Sequence, residues 1–285
     1  MAGNPLINSM TQPNQSQSRF GQFGAGGAYA GSSQQGQYGQ QPGYTQASAE
    51  ELNRMYQAPS AGPLQTGQLT INDVIVKTGL NLGLLVLAAV IGWFVPALVF
   101  VGLIAGLVLG LVNAFKKQVS PALVLAYSFA EGLLLGGISA SFEASYPGIV
   151  SQAVLGTVIV FATILVLFRS GKVRASAKAT KIFMVASLAY LVFCLVNLGT
   201  MLFAGNNMRS LEFMGIPLGF IIGLLAIVMA SYSLVLDFTN IGEAIRYGAA
   251  ERESWRMAFG LIVTLVWLYI EILRVLSYLR SMADN

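Results

Sequence analysis

Two carboxylates, Asp237 and Glu271, directly follow long apolar runs, Leu218 to Leu236 and Ala258 to Ile270. Ionisable side chains at bilayer depth cost about 2.5–3.5 kcal/mol on insertion scales, so a chain that keeps two of them is expected to use them. Such acids can hold a proton, pair with a basic side chain, or bind a hard cation through oxygen. The sequence has no histidine and one cysteine, Cys194. Histidine-ligated zinc, a Ser-His pair, a histidine pH switch and a cysteine-cluster metal site are therefore excluded. Proton chemistry near neutral pH falls to the carboxylates, with no catalytic residue, no cofactor and no certain metal site expected.

Helical spacing gives each acid a polar stripe. Asp237 shares a face with Ser233 at i−4 and Asn240 at i+3, and Glu271 with Thr264 at i−7, Trp267 at i−4 and Arg274 at i+3. A third acid, Glu131, has Tyr127 at i−4 and lies ten residues into its segment, about 15 Å deep at 1.5 Å per residue. Glu271 lies about 20 Å past Ala258 by the same rise, and Asp237 about 15 Å deep if its helix runs on to Tyr247 with Gly248 as C-cap. Three carboxylates are thus expected at comparable depth. A structural pair with Arg274 is the plainer use of Glu271, and an interhelical hydrogen bond the plainer use of Glu131. Asp237 has no basic residue within one turn, so it most needs a proton, a partner acid or a cation.

The elements that position these acids follow from composition. The 285 residues are 55% hydrophobic and 10% charged, with mean hydropathy +0.67, far from the roughly 25% charge of a soluble domain. Spanning helices of about 20 apolar residues are expected at Val74–Phe94, Ala97–Phe115, Pro121–Ala144, Ile149–Phe168, Ile182–Phe203, Pro217–Ile241 and Ala258–Leu279. The fold class is an all-α, seven-helix polytopic bundle over residues 70–285, with Thr70-Ile-Asn-Asp73 as a capping box at its start. Residues 1–69 hold thirteen of the fifteen glutamines among Gly, Ser and Pro. They read as a disordered cytoplasmic tail, with a local capping box at Ser48-Ala-Glu-Glu51.

Thirteen Lys and Arg fall on the side of the N-terminus and three, Arg209, Arg274 and Arg280, on the other. This places the N-terminus in the cytoplasm and the C-terminus outside. Net charge +4 is explained by these loops and not by nucleic acid. Glycines at four-residue spacing (Gly79 and Gly83; Gly102, Gly106 and Gly110; Gly132 and Gly136; Gly215, Gly219 and Gly223) should let backbones approach closely.

The run Ser233-Leu-Val-Leu-Asp237-Phe-Thr-Asn-Ile-Gly-Glu243, followed by Trp267-Leu-Tyr-Ile-Glu271-Ile-Leu-Arg274 and preceded by Tyr127-Ser-Phe-Ala-Glu-Gly132, resembles the Bax inhibitor family of transmembrane proteins over about Ile71 to Leu279. The resemblance implies a bundle with its last helix at the centre, and the basic loops fit a bacterial member. The resemblance also implies a calcium-permeable leak in which two acids on the last two helices share a proton and separate on deprotonation. Asp237 matches the first acid. Glu271 matches the second by position, where other members carry Asp, and the connection between the two is longer here. The expected assignment is a pH-sensitive leak gated by Asp237 and Glu271, with Glu131, Arg274, Asn240 and Ser233 in support, and Ca²⁺ or other cations as cargo.

Rival classes differ in what they require. A non-transporting regulator that binds other membrane proteins through its tail is the first alternative, and a proton-coupled transporter the second. An intramembrane aspartyl protease lacks its Gly-Leu-Gly-Asp motif here, and a retinal receptor lacks a lysine after Lys181. The lipid bilayer, of a bacterial inner membrane, is the one obligatory partner, and no enzymatic activity is expected.

Overall fold

The computed structural model describes residue 53 and residues 67–284, apart from 206 and 214. The chain divides into two units, residues 1–58 and 59–285, and all that follows concerns the second. The tail and its Ser48–Glu51 box lie outside the described residues.

Seven helices among the described residues are long and apolar enough to cross a membrane. They are α1 (Ile71–Phe94), α2 (Leu98–Phe115), α3 (Pro121–Ser145), α4 (Ile149–Arg169), α5 (Ala177–Ala204), α6 (Leu218–Arg246) and α7 (Ser254–Ala283). Local signals set their ends. Thr70 and Asp73 close a reciprocal capping box on α1, with Asp73 N donating to Thr70 Oγ1 at 3.2 Å and Thr70 N to Asp73 Oδ2 at 2.9 Å. Pro121 occupies the first turn of α3, where its missing N–H costs nothing. α6 runs to Arg246, beyond the expected Ile241, and Gly248 follows its C-cap at φ +65°. α5 and α7 likewise start earlier than expected, because Lys178, Lys181, Trp255 and Arg256 are good enough helix formers to extend the apolar cores.

Between α5 and α6 the chain makes a 3-10 turn, Met208–Ser210, and a two-stranded hairpin, Glu212–Phe213 (β1) antiparallel to Ile216–Pro217 (β2). Gly215 sits in this turn at φ +79° and not in a helix, so it belongs to no small-residue face.

α7 is the central element. It packs against α1, α3, α4 and α6, and half of its most apolar window is buried, against 6% for α5, which touches chiefly α6. One face of α7 supplies Leu261, Leu268, Ile272 and Leu273 to a core shared with α4 and α6. Another supplies Ile262 and Val266 to a core shared with α1 and α3. The expectation of a central last helix holds.

Close contact with a neighbouring helix, by backbone or side chain, explains seven of the ten glycines at four-residue spacing. A Cβ on Gly132 or Gly136 would strike the carbonyl of Leu85 or Ala89 in α1, and one on Gly102 the backbone of Ala130 and Leu134 in α3. Gly219 and Gly223 make room for Tyr278 and Val275 of α7. Gly79 and Gly83 depart from the expectation: a Cβ there meets nothing within 4 Å, because they face away from the bundle. Gly136→Ala should therefore lower stability by about 1–3 kcal/mol through overpacking of α1 on α3. Gly83→Ala should stay within about 0.5 kcal/mol of the parent. Thermal unfolding of both variants in detergent checks the contrast.

Candidate functional site in the seam between the last two helices

α6 and α7 run antiparallel, and their contacts fix a register. Gly219 faces Tyr278, Gly223 faces Val275 and Glu271, Ser233 faces Thr264, and Asp237 faces Gly260. The two acids therefore do not meet. Glu271 lies eleven residues along α7 from Gly260, the residue opposite Asp237, about 16 Å at 1.5 Å per residue. The expectation of comparable depth is corrected. Because α7 begins at Ser254, Glu271 sits further from the N-terminal face of the bundle than a start at Ala258 implied. Ala226, Ala230 and Leu234 of α6 and Leu268 of α7, all at 0% exposure, fill the stretch between.

Asp237 accepts a hydrogen bond from Thr264 Oγ1 at 2.7 Å, and that hydroxyl also lies 3.2 Å from Ser233 Oγ. Thr264 thus ties the two polar residues of α6 to α7. Asp237 also lines a pocket of about 440 Å³ together with Asn240, Glu243, Ala244, Tyr247, Arg256, Met257 and Gly260. Asn240, Glu243 and Tyr247 are exposed, so the pocket opens at the end of the bundle where α1 begins. Arg256 is engaged elsewhere: it donates to the Lys117 carbonyl at 2.6 Å and pairs with Glu253 at 2.8 Å. Asp237 makes no ion pair among the described residues.

Glu271 has the opposite environment. Its side chain is 2% exposed and accepts from Arg274 Nη1 at 2.7 Å, while Arg209 Nη1 lies 3.8 Å from its other oxygen. Tyr190 of α5 donates a short hydrogen bond to the same carboxylate and accepts one from Arg209 Nη2 at 3.0 Å. Burial works against the charge of Arg209, but the Tyr190 hydroxyl and the Glu271 carboxylate carry its pKa above the ordinary value. One carboxylate thus faces two guanidinium groups and a phenol, which leaves the cluster with one net positive charge. The proton-sharing pair expected of Asp237 and Glu271 is absent from this conformation, since each acid has its own partners.

Of the supporting candidates, Arg274 and Ser233 join these clusters and Asn240 lies on the pocket rim. Glu131 does not: it points at Gly106 of α2, a helix that packs chiefly on α3. Sequence reasoning missed Tyr190 and Arg209. Nothing marks Tyr190 along an apolar helix. Arg209 did carry a signal, as an arginine in a loop on the arginine-poor side.

The model of a protein family described as Bax inhibitor 1 like matches residues 4–281. The chain belongs to that family. The match begins 67 residues before α1, so the Bax inhibitor resemblance extends through the glutamine-rich tail as well as the helices. A comparison with individually curated proteins gives no match. As a Bax inhibitor family member with seven apolar helices, the protein is a multi-pass membrane protein.

Breaking a buried ion cluster by removing one member costs about 3–5 kcal/mol, since the charges left behind are uncompensated. Glu271→Gln should destabilise the protein by this order. Arg209→Met combined with Glu271→Gln should recover part of the loss, giving a measurable interaction energy in a double-mutant cycle read by thermal unfolding.

Proposed function

We propose that this Bax inhibitor family protein is a pH-sensitive, calcium-permeable cation leak whose path follows the seam between α6 and α7. Asp237 and Glu271 act in series along this path. The observation that carries the reading is Asp237, a carboxylate that makes no ion pair among the described residues and lines, with Asn240, Glu243 and Arg256, a pocket open at the basic end of the bundle. With the N-terminus in the cytoplasm, as the loop charges favour, this pocket is the cytoplasmic mouth. The groups facing Asp237 are Ser233 of its own helix and Thr264 and Gly260 of α7, with Glu243 and Arg256 as the charged residues of the same pocket. Protonated, Asp237 is neutral and lets the seam stay dry. Ionised, it favours water and a divalent cation with oxygen ligands, and strains the apolar closure at Ala226, Ala230 and Leu268. Conduction then requires Glu271 to exchange its arginine partners for the incoming cation.

Flux should rise with pH. Calcium uptake into proteoliposomes holding only this protein, followed from about pH 5 to about pH 8, above the ordinary carboxylate pKa of about 4, tests it. Asp237→Asn should lose the pH dependence. Equal uptake at every pH in the parent would end the titration idea. Uptake no greater than in empty liposomes would end the leak and favour a membrane regulator. One observation supports that second reading: the residues just before α1 are tied to the α6–α7 connection. Leu69 N donates to Ala249 O and Glu251 N to Gly67 O, each at 2.8 Å, and Leu69 is buried.

The proposed orientation has its own test. A reporter fused after Asn285 should read as external and one at Met1 as cytoplasmic; two cytoplasmic readings would make α7 re-entrant.

A further inference from the structure

A second cavity, independent of the leak reading, lies between α1 and α4. It measures about 570 Å³, and its lining includes Val86 and Trp93 of α1, Val154 and Val158 of α4, and Leu265 and Tyr269 of α7. α1 and α4 each pack against α3 and α7 and leave this cleft between themselves. Both are membrane-spanning helices, so the opening faces the bilayer and not water. Val86, Val154 and Val158 along its sides are each about half exposed.

We propose that the acyl chain of a membrane phospholipid occupies this cleft, in the leaflet on the side opposite the N-terminal end of α1. Three observations select that occupant. The hydroxyls in the lining ask for nothing from a ligand: Ser139 Oγ and Tyr269 Oη bond to one another at 2.6 Å, and Thr157 Oγ1 donates to the Ala153 carbonyl at 2.8 Å; the indole N–H of Trp93, one residue from the end of α1, lies at the depth of a phospholipid's polar end. On α1 the lining runs from Leu82 to Phe94, about 18 Å along the axis at 1.5 Å per residue. This is close to the roughly 15 Å that one leaflet contributes to a 30 Å hydrocarbon core. On α4 the lining starts at Val150, the second residue of the helix, and ends at Phe161, so both walls lie in the same half of the bilayer. An apolar chain fills such a space at no polar cost, whereas water there would face almost entirely hydrocarbon.

The floor of the cleft is the central helix. A chain seated there touches Leu265 and Val266, the residues following Thr264, which bonds to Asp237 from another face of α7. Bulk lipid cannot reach this floor without entering the cleft.

Reconstituting the full chain in vesicles of phosphatidylcholine, doped with a phosphatidylcholine carrying a photoactivatable group on its acyl chain, tests the assignment. Mass spectrometry of the irradiated protein should find label on the α7 segment Leu265–Tyr269. Ala89→Phe or Val158→Phe, each of which fills the cleft, should reduce that label several-fold. Label at Leu188, an exposed residue of α5, should be unchanged in both and shows that each variant is inserted and folded. Label at Leu188 without label on the α7 segment in the parent protein would overturn the proposal. So would α7 labelling that survives both filling variants.

Discussion

Glu271 carries its charge in the middle of a protein whose surroundings are hydrocarbon, and the way it is neutralised organises the far end of the bundle. Burying an isolated carboxylate is prohibitive, so the side chain must find cations and hydrogen-bond donors within the protein. Arg274 supplies one from a turn further along α7. Arg209 supplies the other from the connection after α5, and Tyr190 bonds to both Arg209 and Glu271. α5 otherwise packs little against the rest of the bundle. Electrostatics in a low-dielectric site thereby does for α5 what side-chain packing does for α3 and α7.

Asp237 obeys the same constraint by another route. It lies within reach of a water-accessible pocket and takes one hydroxyl from Thr264 in place of a cation. The two acids of the seam are thus solved differently: one is held by arginines, the other makes no ion pair among the described residues and lines a pocket open to water. Between them the seam is closed by alanine and leucine. A conformational change that connected the two acids would have to part Ala226 and Ala230 from α7, a contact that small side chains allow to be close and in which few atoms must separate.

The connection between the two helices is itself held. Lys77 Nζ bonds to Glu251 at 3.0 Å and to Ser254 Oγ at 2.6 Å, and the segment before α1 pairs with residues 249–251. The pocket at Asp237, the start of α1 and the turn into α7 therefore form one mechanical unit at the basic end, whereas the Glu271 cluster ties α5 to α7 at the opposite end.

Much of this was determined by the sequence alone. Helix number, the α1 capping box, the helix-packing glycines on α2, α3 and α6, and the singular position of Asp237 all depend on local properties: apolar run length, residue spacing and the cost of charge in lipid. Arg274 beside Glu271 was legible for the same reason, because i+3 neighbours share a helix face whatever surrounds them. What the tertiary structure alone decided was register and partnership between segments distant in sequence. Asp237 and Glu271 read as neighbours because consecutive helices bring acids of similar depth together. The seam places them about 16 Å apart, because Asp237 faces Gly260 while Glu271 faces Gly223; the four-residue earlier start of α7 supplies only about 6 Å of that offset. Likewise no spacing rule ties Tyr190 or Arg209 to Glu271, since a long-range ion cluster leaves no periodicity in the chain. Gly79 and Gly83 show the converse: their spacing fits a helix-packing motif, yet only the fold could tell which face of α1 the bundle would cover.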